Sequence, residues 1–226
     1  MNSIFEPSCR RCPRLASFLD NVRVEAPDYF CRPVPPFGDS AARLLIVGLA
    51  PGKHGANRTG RPFTGDHAGI LLYATLHKYG LASAPQSTAA DDSLELIGAR
   101  ITNAVKCLPP DNKPLPFEIK TCNDFLRAEL EQSPSVRAIL ALGAIAHGAV
   151  LRACGLPPAV HRFQHAAEHA MPGQRVLLDS YHCSRYNTQT RRLTAAMFEA
   201  VVGRARDLAF GGTAEAVTAA ALTAAP

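Results

Sequence analysis

The chain has 226 residues, 47% of them hydrophobic and 19% charged, with a net charge of +5 and a pI near 8.9. That length and balance fit one globular domain with a substantial core and exclude a disordered or fibrous chain. No run of 18 apolar residues occurs, so no membrane helix is expected. The segment from Met1 to Leu15 carries Glu6, Arg10, Arg11 and Arg14 and no apolar stretch, so no secretory signal is expected and the location that follows is cytoplasmic. The basic excess suits a polyanionic partner through counterion release, although many metabolic enzymes are equally basic. An odd number of cysteines without a secretory signal favours metal ligation over a disulfide framework.

Residues 1–42 are rich in Pro and Arg, with a short helix predicted from Pro13 to Leu19. The apolar run Arg43 to Leu49 reads as a strand buried on both faces. A polar loop from Ala50 to Asp66 follows, with glycines at 52, 55, 60 and 65. A helix is predicted from His67 to Tyr79, with Asp66 as N-cap and Gly80 as stop. Residues 83–93 are a polar loop; Arg100 to Lys106 is a second strand, and a Pro-rich turn ends at Pro114. Helix Phe117 to Glu131, strand Val136 to Leu142, helix Ala144 to Cys154, strand Arg175 to Tyr181 and helix Thr190 to Ala205 complete the pattern. The alternation predicts a three-layer α/β/α domain over residues 1–210, built on a mostly parallel four-stranded central sheet, with an Ala/Thr-rich, disordered or loosely helical tail at 211–226. Ligands bind such sheets at the carboxyl ends of the strands. Residues 48–66, 103–107 and 182–188 all follow strands, so they are predicted to converge.

Cys9 and Cys12 form a C-x2-C pair, and Cys107 and Cys122 lie on a strand-end loop and an early helix turn. Four thiolates from such remote segments can surround zinc or an iron–sulfur cluster; the alternative is incidental exposed thiols and small buried hydrophobes. Cys154 reads as core and Cys31 as an alternative ligand. The glycines of the 50–66 loop permit close backbone approach to a ligand, and its amides can bind an anion or a carbonyl oxygen. It is not a Walker A loop, because Lys53 falls at the wrong spacing. His54, Asn57, Arg58 and Arg61 give it polar reach, and Phe63 is either a stacking surface for a base or a core side chain.

These segments resemble the motifs of the uracil-DNA glycosylase superfamily. G-L-A-P at 48–51, H-G-A-N-R-T-G-R at 54–61 and F-T-G-D at 63–66 resemble its first motif in the form of the family 5 branch; the family 4 branch has an acidic residue where this chain has Leu49. I-T-N-A-V-K-C at 101–107 resembles the strand that carries a uracil-reading Asn and a cluster cysteine, and H-C-S-R-Y-N-T at 182–188 resembles the second motif. C-R-R-C-P-R-L at 9–15 matches the N-terminal cluster ligands. The resemblance implies a monomeric repair glycosylase acting on DNA that contains uracil or other damaged bases. It implies a [4Fe–4S] cluster on Cys9, Cys12, Cys107 and Cys122 with a structural role. Asn103 is expected to read uracil, Phe63 to stack on it, and the backbone around Ala50 and Gly52 to hold its oxygens. His182 is expected to stabilise the departing base. Neither Leu49 nor Ala50 can orient water, which leaves Asn57 and His54 as candidates. Arg58, Arg185, Tyr186 and Asn187 are expected to meet the DNA. Where narrow-specificity members place a Tyr, this chain has Gly52, so an open pocket that also accepts hypoxanthine and etheno bases is expected. Cys183 replaces the Pro usual after the second-motif His, which predicts a looser loop. Two competing readings are a nucleotide- or phosphoester-binding α/β enzyme and an inactive DNA-binding iron–sulfur module.

Overall fold

The computed structural model describes residues 5–211, so all but the first residue of the Ala/Thr-rich tail lies outside the described residues. The chain runs α1 (Pro13–Glu25), β1 (Phe37–Gly38), β2 (Leu44–Gly48), α2 (Ala56–Thr59), α3 (His67–Lys78), β3 (Ala99–Asn103), α4 (Pro116–Glu131), β4 (Ala138–Leu142), α5 (Ala144–Ala153), β5 (Glu168–Met171), β6 (Arg175–Ser180), α6 (Arg185–Gln189) and α7 (Ala195–Phe210).

The sheet has the order β1-β3-β2-β4-β6-β5. Its four central strands are mutually parallel and are the four predicted ones. The six-stranded count corrects the expected four. β1 and β5 add antiparallel edges; one is two residues long and the other, Glu-His-Ala-Met, alternates between exposed and covered positions, so neither carries the apolar run of a buried strand.

Burial on both faces explains the near-continuous apolar strands. Leu44, Ile46, Leu140 and Leu178 face the layer of α3 and α7, where they meet Leu72, Leu76, Phe198 and Val202. Leu45, Val47, Ile139 and Leu177 face α4 and α5, where they meet Leu126 and Val150. α1 lies outside this sandwich, with Leu15 packed on Val105, Cys122 and Phe125, and Leu19 and Val22 packed with Cys31 and Leu108. It continues to Glu25, past the predicted Leu19, because Val22 supplies a further buried turn.

Helix ends follow local chemistry. Asp66 caps α3, accepting from the Gly69 amide at 3.0 Å. The last helix starts at Ala195, not Thr190. Arg191 is left-handed (φ 56°), which stops α6, and Thr194 then caps α7 by accepting from Met197 N at 3.2 Å.

β4 is the strand on which both layers close. Leu140→Ala is expected to destabilise the protein by about 2–5 kcal/mol, because the fully buried site cannot collapse around the deletion. A urea-unfolding midpoint unchanged from wild type would contradict this packing.

Candidate active site

β2 lies between β3 on one side and β4 on the other, so the chain departs in opposite directions from its two flanks. The crevice outside the carboxyl ends at such a switch is where open parallel sheets bind ligands. A cleft of about 490 Å³ opens there. Ala50 and Gly52 come from the loop after β2, Asn103 from the end of β3, Gly143 from the end of β4, and His182 and Arg185 from the segment after β6. The three convergent segments therefore meet as predicted.

The floor is set by Gly48. A Cβ there would sit 2.5 Å from Asn103 Oδ1 and 2.7 Å from Phe63 Cζ, closer than real contacts allow. Both side chains thus occupy the space of a missing side chain at the end of β2. Phe63 is buried in a left-handed conformation (φ 58°), and its ring stacks on His182 at 6.0 Å between centroids and 26° between planes. Asn103 is buried, and its Oδ1 has no hydrogen-bond partner among the described residues. A buried amide oxygen left unpaired costs about 1–3 kcal/mol, so its position in a cleft points to a ligand that donates to it.

Burial also sets the charges. It pushes the His182 imidazole down to about 4, so the ring is neutral at neutral pH. The Asp66 carboxyl is pushed up by burial, against the backbone amides of Gly69 and Ala68 that favour its charge. Asp66 reads from sequence as a helix cap alone. In the folded chain Oδ1 caps α3 while Oδ2 stands beside Gly55 and Gly52, 2.5 and 3.5 Å from where their Cβ atoms would be, and the residue lines the cleft. Beside it His67, also unnoticed in the sequence, lines the cleft and bonds Thr188 Oγ1 through Nε2 at 3.3 Å.

Other predicted site residues stand elsewhere. The short helix α2, not expected from the sequence, turns Asn57 inward: it is fully buried, and its Nδ2 donates to Cys31 Sγ at 3.5 Å. His54 faces outward, its Nδ1 paired with Tyr29 Oη at 2.9 Å. Neither lines the cleft. Arg58 and Arg185 line a second groove that shares Asp66 and His67 with the cleft. Tyr186 is 70% exposed on α6. Asn187 donates to the His182 carbonyl at 2.8 Å, and Cys183 is fully buried in the core. The loop at 182–187 is thus anchored by packing and a side-chain bond where a Pro ring would otherwise stiffen it.

The four candidate cluster cysteines line one apolar cavity between the N-terminal arm, the 105–107 turn and α4. Ion pairs from Arg11 to Asp124 (2.5 Å) and Arg14 to Glu118 (2.8 Å) fasten the arm to α4. No three of these sulfurs lie within 4.8 Å of one another. Burial pushes the Cys12 thiol up to about 11 and raises Cys107 and Cys122 as well. Lys106 N donates to Cys122 Sγ at 3.3 Å, the kind of bond that supports a metal-bound thiolate.

A fold of this topology with this cleft defines a family. The model of the Uracil DNA glycosylase superfamily matches residues 35–206, and the chain belongs to that superfamily. Its similarity is to the type-5 branch over nearly its whole length. A type-5 uracil-DNA glycosylase of Thermus thermophilus is 50% identical over 207 residues, covering 89% of this chain and 94% of that protein. One of Pyrobaculum aerophilum is 45% identical over 202 residues, covering 88% of each. A type-4 uracil-DNA glycosylase of Thermotoga maritima matches at 39% over 111 residues, 48% of this chain and 49% of its own.

Gly48→Ala tests the floor directly. Its crystal structure is expected to show the Asn103 amide and the Phe63 ring displaced, with the far-ultraviolet circular dichroism of wild type. Unmoved side chains would show that the close approach is not a constraint.

Proposed function

We propose that the protein is a monofunctional DNA-repair glycosylase that hydrolyses the N-glycosidic bond of uracil in DNA and leaves an intact abasic site. The observation that carries this reading is the unpartnered Asn103 amide oxygen in the cleft with a neutral His182, in a chain of this superfamily. An Asn side chain offers a donor and an acceptor side by side, which match the O4 and N3–H of uracil. A base must leave the duplex stack to reach such a cleft. Phe63 supplies an apolar face beside it, and the backbone from Ala50 to Gly52 approaches its oxygens.

In the reaction, the bond between C1′ and the base breaks, its electron pair moves onto the base, a water oxygen bonds to C1′, and the proton that the water sheds is taken up by the Asp66 carboxylate. His182, neutral, donates a hydrogen bond to O2, where the negative charge develops; in a desolvated cleft such a donor is worth about 10²–10³ in rate. Asp66 orients the water. Its carboxyl lines the cleft while Oδ1 holds the helix cap, and its raised affinity for protons moves it toward the range in which a carboxylate acts as base. The buried Asn57 and surface His54 leave that role to Asp66. No lysine lines the cleft among the described residues: Lys53 pairs with Glu25 at 2.7 Å and Lys106 is buried against Thr102 and Glu129. A Schiff-base lyase needs such an amine, so hydrolysis alone follows. Arg58 and Arg185 along the adjoining groove, with the exposed Tyr186, are the surface for the DNA strand. Gly52 has room for a side chain where an added Cβ would make ordinary contact only, which supports a wide pocket that takes hypoxanthine beside uracil.

Incubation with a uracil-containing oligonucleotide and alkaline cleavage is expected to reveal abasic sites. His182→Ala and Asp66→Asn are expected to slow excision by about 10²-fold or more, and Gly52→Tyr to suppress hypoxanthine more than uracil. Because His182 loses its proton near 4, activity should show no inflection at the usual imidazole value of about 6.5. Absence of abasic sites would instead leave an inactive DNA-binding module or a small-molecule enzyme; a borohydride-trapped adduct would overturn the monofunctional reading.

For the cysteine cavity the reading is a [4Fe–4S] cluster held by Cys9, Cys12, Cys107 and Cys122, supported by their convergence on one apolar cavity and by the amide bond to Cys122. The group, when bound, joins the arm to α4 as a structural link. Purified protein is then brown, with about four irons per chain, and Cys107→Ser or Cys122→Ser loses colour and much of the stability. Colourless, iron-free protein of full stability would exclude the cluster.

A further inference from the structure

Toward the β6–β5 edge of the sheet, a second polar centre has no part in the reaction above. Asp179 on β6 is fully buried. Its Oδ1 meets His147 Nδ1 from α5 at 2.8 Å, and its Oδ2 meets His169 Nε2 from β5 at 3.0 Å and the Gln164 amide at 3.3 Å. One ligand atom from each of His147, His169 and Asp179 lies within 4.8 Å of the others.

The hydrogen bonds determine what this centre requires. His147 Nε2 lies 2.8 Å from the His161 carbonyl, which only accepts, so Nε2 carries a proton. In a neutral His147 the Nδ1 lone pair would then point at the Asp179 carboxylate, an unfavourable meeting of two acceptors. The arrangement is stable only with a cation, a proton or a metal ion, between Nδ1 and Oδ1. Among the described residues no lysine or arginine is ion-paired with Asp179, so no side chain other than the two imidazoles supplies it. An unpaired carboxylate in such a place is costly.

We propose that His147, His169 and Asp179 form a binding site for a divalent transition-metal ion of the zinc class. Two imidazole nitrogens and one carboxylate oxygen are a donor set that zinc accepts, with a fourth position left for water. The outer contacts are those of a ligating histidine: His147 gives its remaining N–H to a backbone carbonyl, and Asp179 accepts a backbone amide on its second oxygen. The ligands come from α5, β5 and β6, so the ion ties the sheet's edge strand and the 161–169 segment to the core. That segment includes His165, whose Nδ1 accepts from Tyr181 N at 3.2 Å, immediately before His182. The site is thereby a brace for the strand that delivers His182.

The test uses the full chain with its cysteine sites as isolated, stripped of loosely held ions by a mild chelator and titrated with zinc chloride by calorimetry at pH 7.5. One equivalent is expected to bind to wild type and to raise the melting temperature. His169→Ala, on the edge strand, is expected to lose that equivalent while its iron content stays that of wild type, which separates this site from the cysteines. His147→Gln, which cannot ligate through an imidazole, should lose it too and provides a second variant if His169→Ala misfolds. Absence of zinc binding by wild type would leave a protonated His147 as the only cation beside Asp179 and overturn the proposal. Equal zinc uptake by wild type and both variants would do the same by locating the ion elsewhere. Neither result bears on uracil excision, which is measured separately.

Discussion

The close approach at the end of β2 governs the rest of the site. Gly48 offers no side chain, and Asn103 Oδ1 and the Phe63 ring fill the volume a Cβ would need. This brings an amide from one strand and an aromatic ring from a loop onto the backbone of a third segment. Phe63 reaches that place only through a left-handed backbone, which costs energy for a residue with a Cβ. The packing around it repays that strain: Tyr73 Oη donates to the Pro62 carbonyl at 2.7 Å, and Arg61 is tied to Asp92 and to Ala90 O.

Desolvation then does the chemical work that spacing alone cannot. The same burial leaves His182 neutral and makes the Asp66 carboxyl hold its proton more tightly. The two shifts move in opposite directions on the pH scale but have one cause, since each favours the uncharged form. A neutral imidazole is a hydrogen-bond donor that adds no charge of its own to the cleft. Asp66 is held by the helix it caps, which fixes its Oδ1 and so the place of its carboxyl on the cleft wall.

Two distant centres hold the periphery to this core. The arm reaches α4 through cysteines and ion pairs, and the far edge strand reaches α5 through Asp179 and its histidines. Small edge elements bury little apolar surface of their own, as the two-residue β1 and the half-exposed β5 illustrate. Ion pairs and buried hydrogen bonds are the means left to fasten such pieces.

By itself the sequence determined the four parallel strands, the helix that Asp66 caps, the convergence of residues 48–66, 103 and 182 at the strand ends, and the grouping of Cys9, Cys12, Cys107 and Cys122. Each of these is written in local periodicity, in capping chemistry or in motif spacing. Only the tertiary structure decided that Asn57 turns inward to Cys31 while His54 faces solvent, because a four-residue helix leaves no periodic signal. It alone gave Asp66 a second face in the cleft and set the Cys183 side chain in the core. It also joined His147, His169 and Asp179, which lie on three elements. Burial and through-space neighbours decide these roles, and neither is a property of residues adjacent along the chain.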